Sequence, residues 1–232
     1  MLDKIRNELL VLGDQERAKK LAGFFKTGKG QYGEGDVFLG IPVPEQRKVA
    51  KKYIGLSFDE LLELLRSKFH ELRLTALLIL VIKYSKADDS EKEIIYNFYL
   101  KNTQFVNNWD LVDLTAPKIV GDYLLYRDRS ILFELVKSSS LWERRIAVLA
   151  TFCFIKNNDF NDTFSISKLL IKDKHDLIHK AVGWMLREIG KRDQKALEEH
   201  LMKYYKQMPR TMLRYAMEKF EEEKRKYFLS KQ

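Results

Sequence analysis

The sequence has few of the residues that mark disulfide-bonded or membrane-spanning proteins. It contains one cysteine, Cys153, so no internal disulfide can form and a reducing compartment is indicated. Its longest apolar run, Ala76 to Ile82, is too short to cross a bilayer, and residues 1–6 lack the apolar core of a signal peptide. We therefore expect a folded cytoplasmic protein that does not span a membrane, with Cys153 packed in its core.

Acidic residues are outnumbered by basic ones. Lys and Arg total 42 against 33 Asp and Glu, which gives a net charge of +9 and a pI near 9.4. This surplus favours a polyanionic partner such as nucleic acid, and an anionic membrane surface is the competing interpretation. Apolar residues make up 45% of the chain and charged residues 32%, so the composition is that of a folded domain.

Proline and glycine are also scarce, and helical spacing of apolar residues dominates from Ser57 onward. Segments that start at residue 72 and recur every 35 residues can be aligned, with apolar residues in two adjacent columns. A second amphipathic stretch precedes each segment, at residues 58–66, 93–101, 130–137, 165–171 and 194–205. Two helices per repeat indicate an all-α fold, a curved α-solenoid of HEAT-like helical repeats.

This pattern predicts a single HEAT-like repeat domain over residues 1–232, and we expect a monomer. Residues 1–56 are predicted to form N-terminal helices with a Gly-rich loop at 27–36, which holds four of the eleven glycines. Residues 57–232 are predicted to form about five helical pairs. The second helix of each pair is expected to line a concave, basic face.

Aromatic, acidic and basic residues recur on these second helices. Asp113 follows Trp109 by four residues and Trp184 follows Lys180 by four, so each pair shares a helix face. We predict that Trp109, Asp113, Arg145 and Trp184 converge across three neighbouring repeats. The alternative is that both tryptophans fill the core and that Asp113 caps or solvates its helix.

The residue types in this cluster suit one kind of chemistry. Indole faces stabilise a cationic ligand, a carboxylate stabilises positive charge that develops in a reaction, and arginine binds phosphate. Pro117 predicts that the helix kinks or ends shortly after Asp113. His175 and His179 lie four residues apart, but no further Cys or His cluster completes a metal site, so neither a metal nor a cofactor is expected.

Four motifs, present in family order, resemble the AlkD-type DNA alkylation repair proteins, which are HEAT-like repeat DNA glycosylases. Together they cover most of the chain, which makes the resemblance more specific than any single motif. They are residues 108–113 with Pro117 and 121–122, residues 38–47, residues 142–147 and residues 180–188.

The resemblance implies an enzyme that hydrolyses the N-glycosidic bond of N3- or N7-alkylated purines in double-stranded DNA, working on an exposed face without a base-flipping pocket. Trp109, Asp113 and Trp184 match the family's catalytic aromatic and carboxylate group, and Arg145 matches its backbone-contacting arginine. In the same helical segments we assign DNA binding to three further basic residues, Arg144, Lys180 and Arg187. When bound to DNA the protein would be associated with the nucleoid.

Two other functions stay open from the sequence. A non-catalytic HEAT-like DNA-binding protein of the same family would bind DNA in a salt-dependent manner without releasing bases. A protein-protein scaffold would require an exposed apolar concave face instead of a basic one.

Overall fold

The computed structural model describes residues 1–230, which form helices joined mostly by short connections, except for the longer segment 25–42 between the second and third helices. Extended pairing within this range is limited to one isolated bridge between Val37 and Phe69. The predicted all-α class of helical repeats is confirmed. Along residues 1–230 no helix combines the length and apolar character that crossing a bilayer demands.

Contacts within the chain define two compact units, Met1–Thr115 and a second unit that begins at Ala116. The first contains α1 (Leu2–Val11), α2 (Gln15–Phe24), α3 (Val43–Lys52), α4 (Phe58–Leu65), α5 (His70–Lys86), α6 (Asp89–Lys101), a 3₁₀ turn (Thr103–Phe105) and the start of α7 (Trp109–Ala116). The second contains a π-helical turn (Pro117–Gly121), α8 (Asp122–Leu124), α9 (Ser130–Leu135), α10 (Leu141–Lys156), α11 (Asn161–Leu169), α12 (Asp176–Gly190), α13 (Gln194–Tyr204), α14 (Arg210–Ala216) and α15 (Glu222–Ser230). The prediction of a single domain stays a prediction.

The predicted helical pairs are present in both units. The five aligned segments correspond to α5, α7, α10, α12 and α14, and the stretches before them correspond to α4, α6, α9, α11 and α13. The two apolar columns are buried in every repeat: Ala76, Leu111, Ile146, Ala181 and Ala216, then Leu77, Val112, Ala147, Val182 and Met217. Burial of these columns is what makes the 35-residue spacing visible in the sequence.

Local capping explains where several helices begin. The Ser57 hydroxyl accepts from the Glu60 backbone while the Glu60 carboxylate accepts from Ser57, a reciprocal capping box that starts α4. Asp88 and Ser140 cap α6 and α10 with single side-chain bonds. The chain therefore marks its own helix boundaries.

Pro117 ends α7 as expected, and the chain continues through a π-helical turn. A Cβ atom on Gly121, the last residue of this turn, would collide with the Ala150 carbonyl, so glycine allows the turn to lie directly against α10. Cys153 also lies against the turn. Cys153 is half-buried and is not fully packed in the core, which corrects the expectation from the sequence.

Candidate functional site

Trp109 and Asp113 lie one helical turn apart on α7, within the first unit. Both are half-buried, and the four-residue spacing places them on one face of the helix. Burial and the negative charge of Asp113 raise the pKa of Tyr99, whose hydroxyl bonds to the Thr115 hydroxyl at 2.9 Å. The Asp113 carboxylate therefore acts electrostatically on the interior of this unit.

Trp109 belongs to an aromatic cluster formed with Phe24, Phe25, Phe38 and His70. The Phe25 ring lies parallel to the indole at 4.9 Å, with 11° between the ring planes. Phe24 meets the indole edge-on at 5.8 Å and is 64% exposed. Since Phe25 covers one indole face, only the opposite face is available to a ligand.

The other side of the cluster leads to a buried histidine. Phe38 stacks on Phe25 at 4.9 Å and on His70 at 4.5 Å. Phe25 lies just before the Gly-rich loop in the sequence, and Phe38 lies just after it. The position of the Trp109 ring thus depends on where that loop is held.

A buried polar network, which we call the Asp36 network, holds the end of the loop. Asp36 accepts from Arg73 at 2.5 Å, from Asn108 at 3.0 Å and from His70 Nδ1 at 3.3 Å. The other ring nitrogen of His70 donates to Asp110 at 2.8 Å. The side chains of Asp36, His70, Arg73 and Asp110 are each at most 10% exposed, and Asn108 is fully buried. Such groups are stable in the interior only when they satisfy one another.

Charge in this network is set by its hydrogen bonds. Burial of the His70 ring opposes protonation, but hydrogen bonds to Asp110 and Asp36 outweigh it and raise its pKa to about 8. Burial likewise favours the neutral form of Asp36, yet the bonds and charges of His70 and Arg73 hold its pKa below the ordinary value. At neutral pH the network therefore holds protonated His70 between two carboxylates.

The network also fixes the start of α7. The Asn108 side chain accepts from the backbone of Trp109 at 2.8 Å, and Asp110 accepts from the backbone of Leu111 at 2.9 Å. Since Asn108 and Asp110 are bonded to Asp36 and His70 respectively, the loop, α5 and the first turn of α7 are held together. Asp110 therefore has a structural role at the start of α7.

The raised pKa of His70 makes stability depend on pH. Because the folded pKa, about 8, lies above the ordinary value of 6.5, the stabilisation is fully present below pH 6.5 and is lost as the pH rises through 8. The shift corresponds to about 2 kcal/mol. Urea unfolding should show this loss in the wild type between pH 6.5 and 8.5, and His70→Gln should lack that part of it.

His200 provides a matched control. It is also buried, but burial followed by the charge of Lys203 lowers its pKa to about 4, so it stays neutral over the same pH range. Above about pH 7.5 His200 is neutral in both the folded and the unfolded state, so in that range His200→Gln should leave the pH slope as in the wild type. A slope in His70→Gln equal to that of the wild type would contradict the assignment.

In the second unit, Arg144 and Arg145 lie near the start of α10. Arg145 is 5% exposed and donates to the Leu177 carbonyl in the first turn of α12 at 2.6 Å. Arg144 pairs with Asp173 at 2.7 Å and donates to the carbonyl of Ser138 at 2.9 Å. Both arginines therefore hold α10 against the residues that begin α12.

The remaining predicted residues of this unit are on α12. Lys180 pairs with Asp176 at 2.7 Å, and Arg187 pairs with Glu218. Trp184 is half-buried, and its indole nitrogen donates to Glu188 at 3.1 Å. The structure thus places Trp109 and Asp113 in one unit, and the basic residues and Trp184 in the other. The convergence of these two groups stays a prediction.

The family model for a DNA alkylation repair enzyme matches residues 5–220. The chain belongs to this DNA alkylation repair enzyme family. The match spans the aromatic cluster, the Asp36 network and the α10 and α12 residues alike. No curated protein shows a significant sequence match to the chain.

Solved structures share the fold of this family member. A predicted DNA alkylation repair enzyme from Enterococcus faecalis is 17% identical with a TM-score of 0.70, over 90% of this chain and 97% of the other. AlkD2 from Streptococcus mutans is 18% identical with a TM-score of 0.57, over 90% and 99% of the two chains. The protein smu.31 from Streptococcus mutans UA159 is 20% identical with a TM-score of 0.55, over 77% and 92%. At these identities the likeness concerns the fold alone.

Sequence patterns missed the residues that support Trp109. In the sequence, His70 and Arg73 are polar residues that interrupt the apolar pattern of α5, and this interruption is the signal that could have marked them. The structure shows that both are buried. Asp36 lies at the end of the Gly-rich loop and carries no such signal. Phe24 and Phe25 end a polar helix, and only the fold places them beside Trp109.

Proposed function

We propose that this family member is a DNA glycosylase that hydrolyses the N-glycosidic bond of cationic N3- or N7-alkylated purines in double-stranded DNA. The observation that carries the proposal is the pairing of a carboxylate, Asp113, with an indole, Trp109, on one face of α7 in a DNA alkylation repair protein. We assign catalysis to Asp113, Trp109 and Trp184.

The leaving group determines what the protein must supply. An N3- or N7-alkylated purine carries a positive charge, and when the bond to C1′ breaks, the bonding electron pair neutralises the base. No general acid is needed. The sugar is left with oxocarbenium character, which a nearby carboxylate stabilises, and water then attacks C1′ and releases its proton to solvent. Asp113 is the residue proposed for this electrostatic role.

The tryptophans suit the cationic base. The π face of an indole attracts a cation, and Trp109 is held in place by Phe25, which stacks on its other face. Trp184 is restrained by the hydrogen bond from its ring nitrogen to Glu188. Restrained rings lose little conformational freedom when they meet a ligand, which favours binding.

Arg144, Arg145, Lys180 and Arg187 are proposed as contacts to the DNA backbone. In the free protein Arg144, Lys180 and Arg187 are paired with acidic residues. DNA phosphates would share these cations with their carboxylates, so each contact contributes less than an unpaired cation would. Arg145 would act from its buried position beside the first turn of α12.

A base-release assay tests the proposal. Duplexes that carry a single 7-methylguanine or 3-methyladenine should release the free base faster with saturating protein than without it. The same sequences without the lesion should release none. Release no faster than the spontaneous rate at saturating protein for both lesions would overturn the assignment.

A second candidate is a non-catalytic DNA-binding protein, and the covered face of Trp109 favours it. Because Phe25 occupies one side of the indole, fewer ring faces are available to a cationic base than two free tryptophans would offer. This candidate predicts salt-dependent binding to duplex DNA with no base release. The two assays together separate the candidates.

A further inference from the structure

A charged cavity of about 400 Å³ lies in the second unit between α12 and α14, with one wall from α15. We call it the Arg214 pocket. Its charged and aromatic lining consists of Asp176, Lys180, Arg214, Tyr215, Glu218 and Arg225. None of the residues assigned to catalysis lines it.

The two carboxylates of the pocket are already neutralised by the protein. Asp176 pairs with Lys180 at 2.7 Å, and Glu218 pairs with Arg187 and, at 3.7 Å, with Lys219. Burial favours the neutral form of Asp176, but the hydrogen bond and charge of Lys180 hold its pKa below the ordinary value. The pocket therefore contains no carboxylate that lacks a cation.

Two arginines of the pocket are left uncompensated. Within residues 1–230, neither Arg214 nor Arg225 has a carboxylate at ion-pair distance, and the Nε of Arg225 is buried without a hydrogen-bond acceptor. Because the Nε of Arg225 is shielded from the cavity, an anion would contact the other N–H groups of the two guanidinium groups, where no carboxylate competes for them. Guanidinium groups bind phosphate oxygens particularly well, because their N–H groups match the geometry of the anion.

The pocket is close to Trp184. Lys180 and Trp184 are four residues apart on α12, so the pocket lies about one helical turn from the indole. Gly183, between them, allows α14 to approach closely, since a Cβ there would lie 2.5 Å from the Met212 carbonyl and from the Tyr215 Cβ. An anion in the pocket would therefore be a near neighbour of a ligand on Trp184.

We propose that the Arg214 pocket binds one phosphodiester group of the DNA backbone beside the lesion. Arg214 and Arg225 supply the hydrogen bonds to the phosphate oxygens. This inference rests on the proposed function, because the pocket lies beside Trp184, which is proposed to contact the lesion. The ligand class is a phosphate. Duplex binding across NaCl concentrations and stabilisation by inorganic phosphate distinguish a backbone phosphate from a free one.

Binding of an undamaged duplex across a range of NaCl concentrations tests the proposal. Arg214→Gln should weaken binding about tenfold at low salt and reduce the slope of log affinity against log salt by about 0.9, the value for one phosphate. Arg225→Gln should have the same effect. The double variant should show no further loss of slope, because the single phosphate is held only when both arginines are present.

Arg192→Gln is the matched control. Arg192 is exposed and lies just after α12, and its substitution removes the same charge. It should leave the slope unchanged. Thermal unfolding of each variant verifies that the fold is retained. Equal slopes for Arg214→Gln, Arg192→Gln and the wild type would overturn the proposal.

Inorganic phosphate forms the second arm. Stabilisation of the wild type by millimolar phosphate that is lost in Arg214→Gln, with an unchanged duplex slope, would assign the pocket to a free phosphate and overturn the backbone assignment. Because the duplex carries no lesion, this experiment is independent of base release. A reduced slope together with absent excision would sustain the pocket and refute the glycosylase.

Discussion

Asp113→Asn is expected to slow release of 7-methylguanine from duplex DNA by about 100-fold to 1000-fold, which is the usual effect of removing one electrostatic stabiliser of a transition state. Asparagine keeps the shape of the side chain and removes its charge, so the developing oxocarbenium loses its nearby anion. Affinity for the lesion-containing duplex should stay near that of the wild type. Single-turnover release at saturating protein measures the first quantity, and equilibrium binding measures the second.

The control for this substitution must alter the net charge equally. Glu93→Gln does so on the exposed surface of α6, and it should release base at the wild-type rate. If Asp113→Asn and Glu93→Gln released base equally fast, the carboxylate at position 113 would have no role in the chemistry. A fall in affinity as large as the fall in rate would instead point to a role in binding.

Asp36→Ala is expected to lower the free energy of unfolding by about 3–5 kcal/mol, because it leaves buried charged groups without their partner. The side chains of Asp36 and Arg73 are 4% and 5% exposed, so water cannot replace the lost carboxylate. His70 would lose one of its two acceptors at the same time. Urea unfolding followed by circular dichroism measures the loss.

Two further variants make this result specific. Asp3→Ala removes a carboxylate whose side chain is 92% exposed and should change stability by less than about 0.5 kcal/mol. Asp36→Asn keeps an acceptor oxygen and should fall between the wild type and Asp36→Ala. A loss in Asp36→Ala no larger than in Asp3→Ala would show that the Asp36 network does not stabilise the fold.

The Asp36 network connects stability with the proposed chemistry. It holds the Gly-rich loop through Asp36 and the first turn of α7 through Asn108, and the aromatic cluster lies beside it. The loop is further closed by its own bonds, from Gly30 to Glu34 and from Gly33 to the Lys26 carbonyl. The loop thus fixes the position of Phe25, and the network fixes the position of Trp109 at the start of α7. Such support on both sides suits a site that must present a rigid ring.

Periodicity in the chain was sufficient to predict the helical pairs. Residues such as Ala76, Leu111 and Ile146 repeat at fixed spacing because each repeat buries the same face, and that requirement is visible in one dimension. The placement of Trp109 and Asp113 on one face of α7 followed from the same argument. So did the interruption at Pro117, since proline lacks the backbone donor that the helix requires.

Contacts between residues distant in the chain were decided by the tertiary structure alone. Asp36 meets Asn108 across 72 positions, and Arg144 meets Asp173 across 29. Hydrogen bonds and ion pairs of this kind leave no period in the sequence, because each depends on how two elements pack. The sequence by itself therefore determined the helices and the candidate catalytic pair on α7. Only the fold decided which charges are already neutralised, that Phe25 covers one face of Trp109, and that neither Arg214 nor Arg225 has a carboxylate at ion-pair distance within residues 1–230.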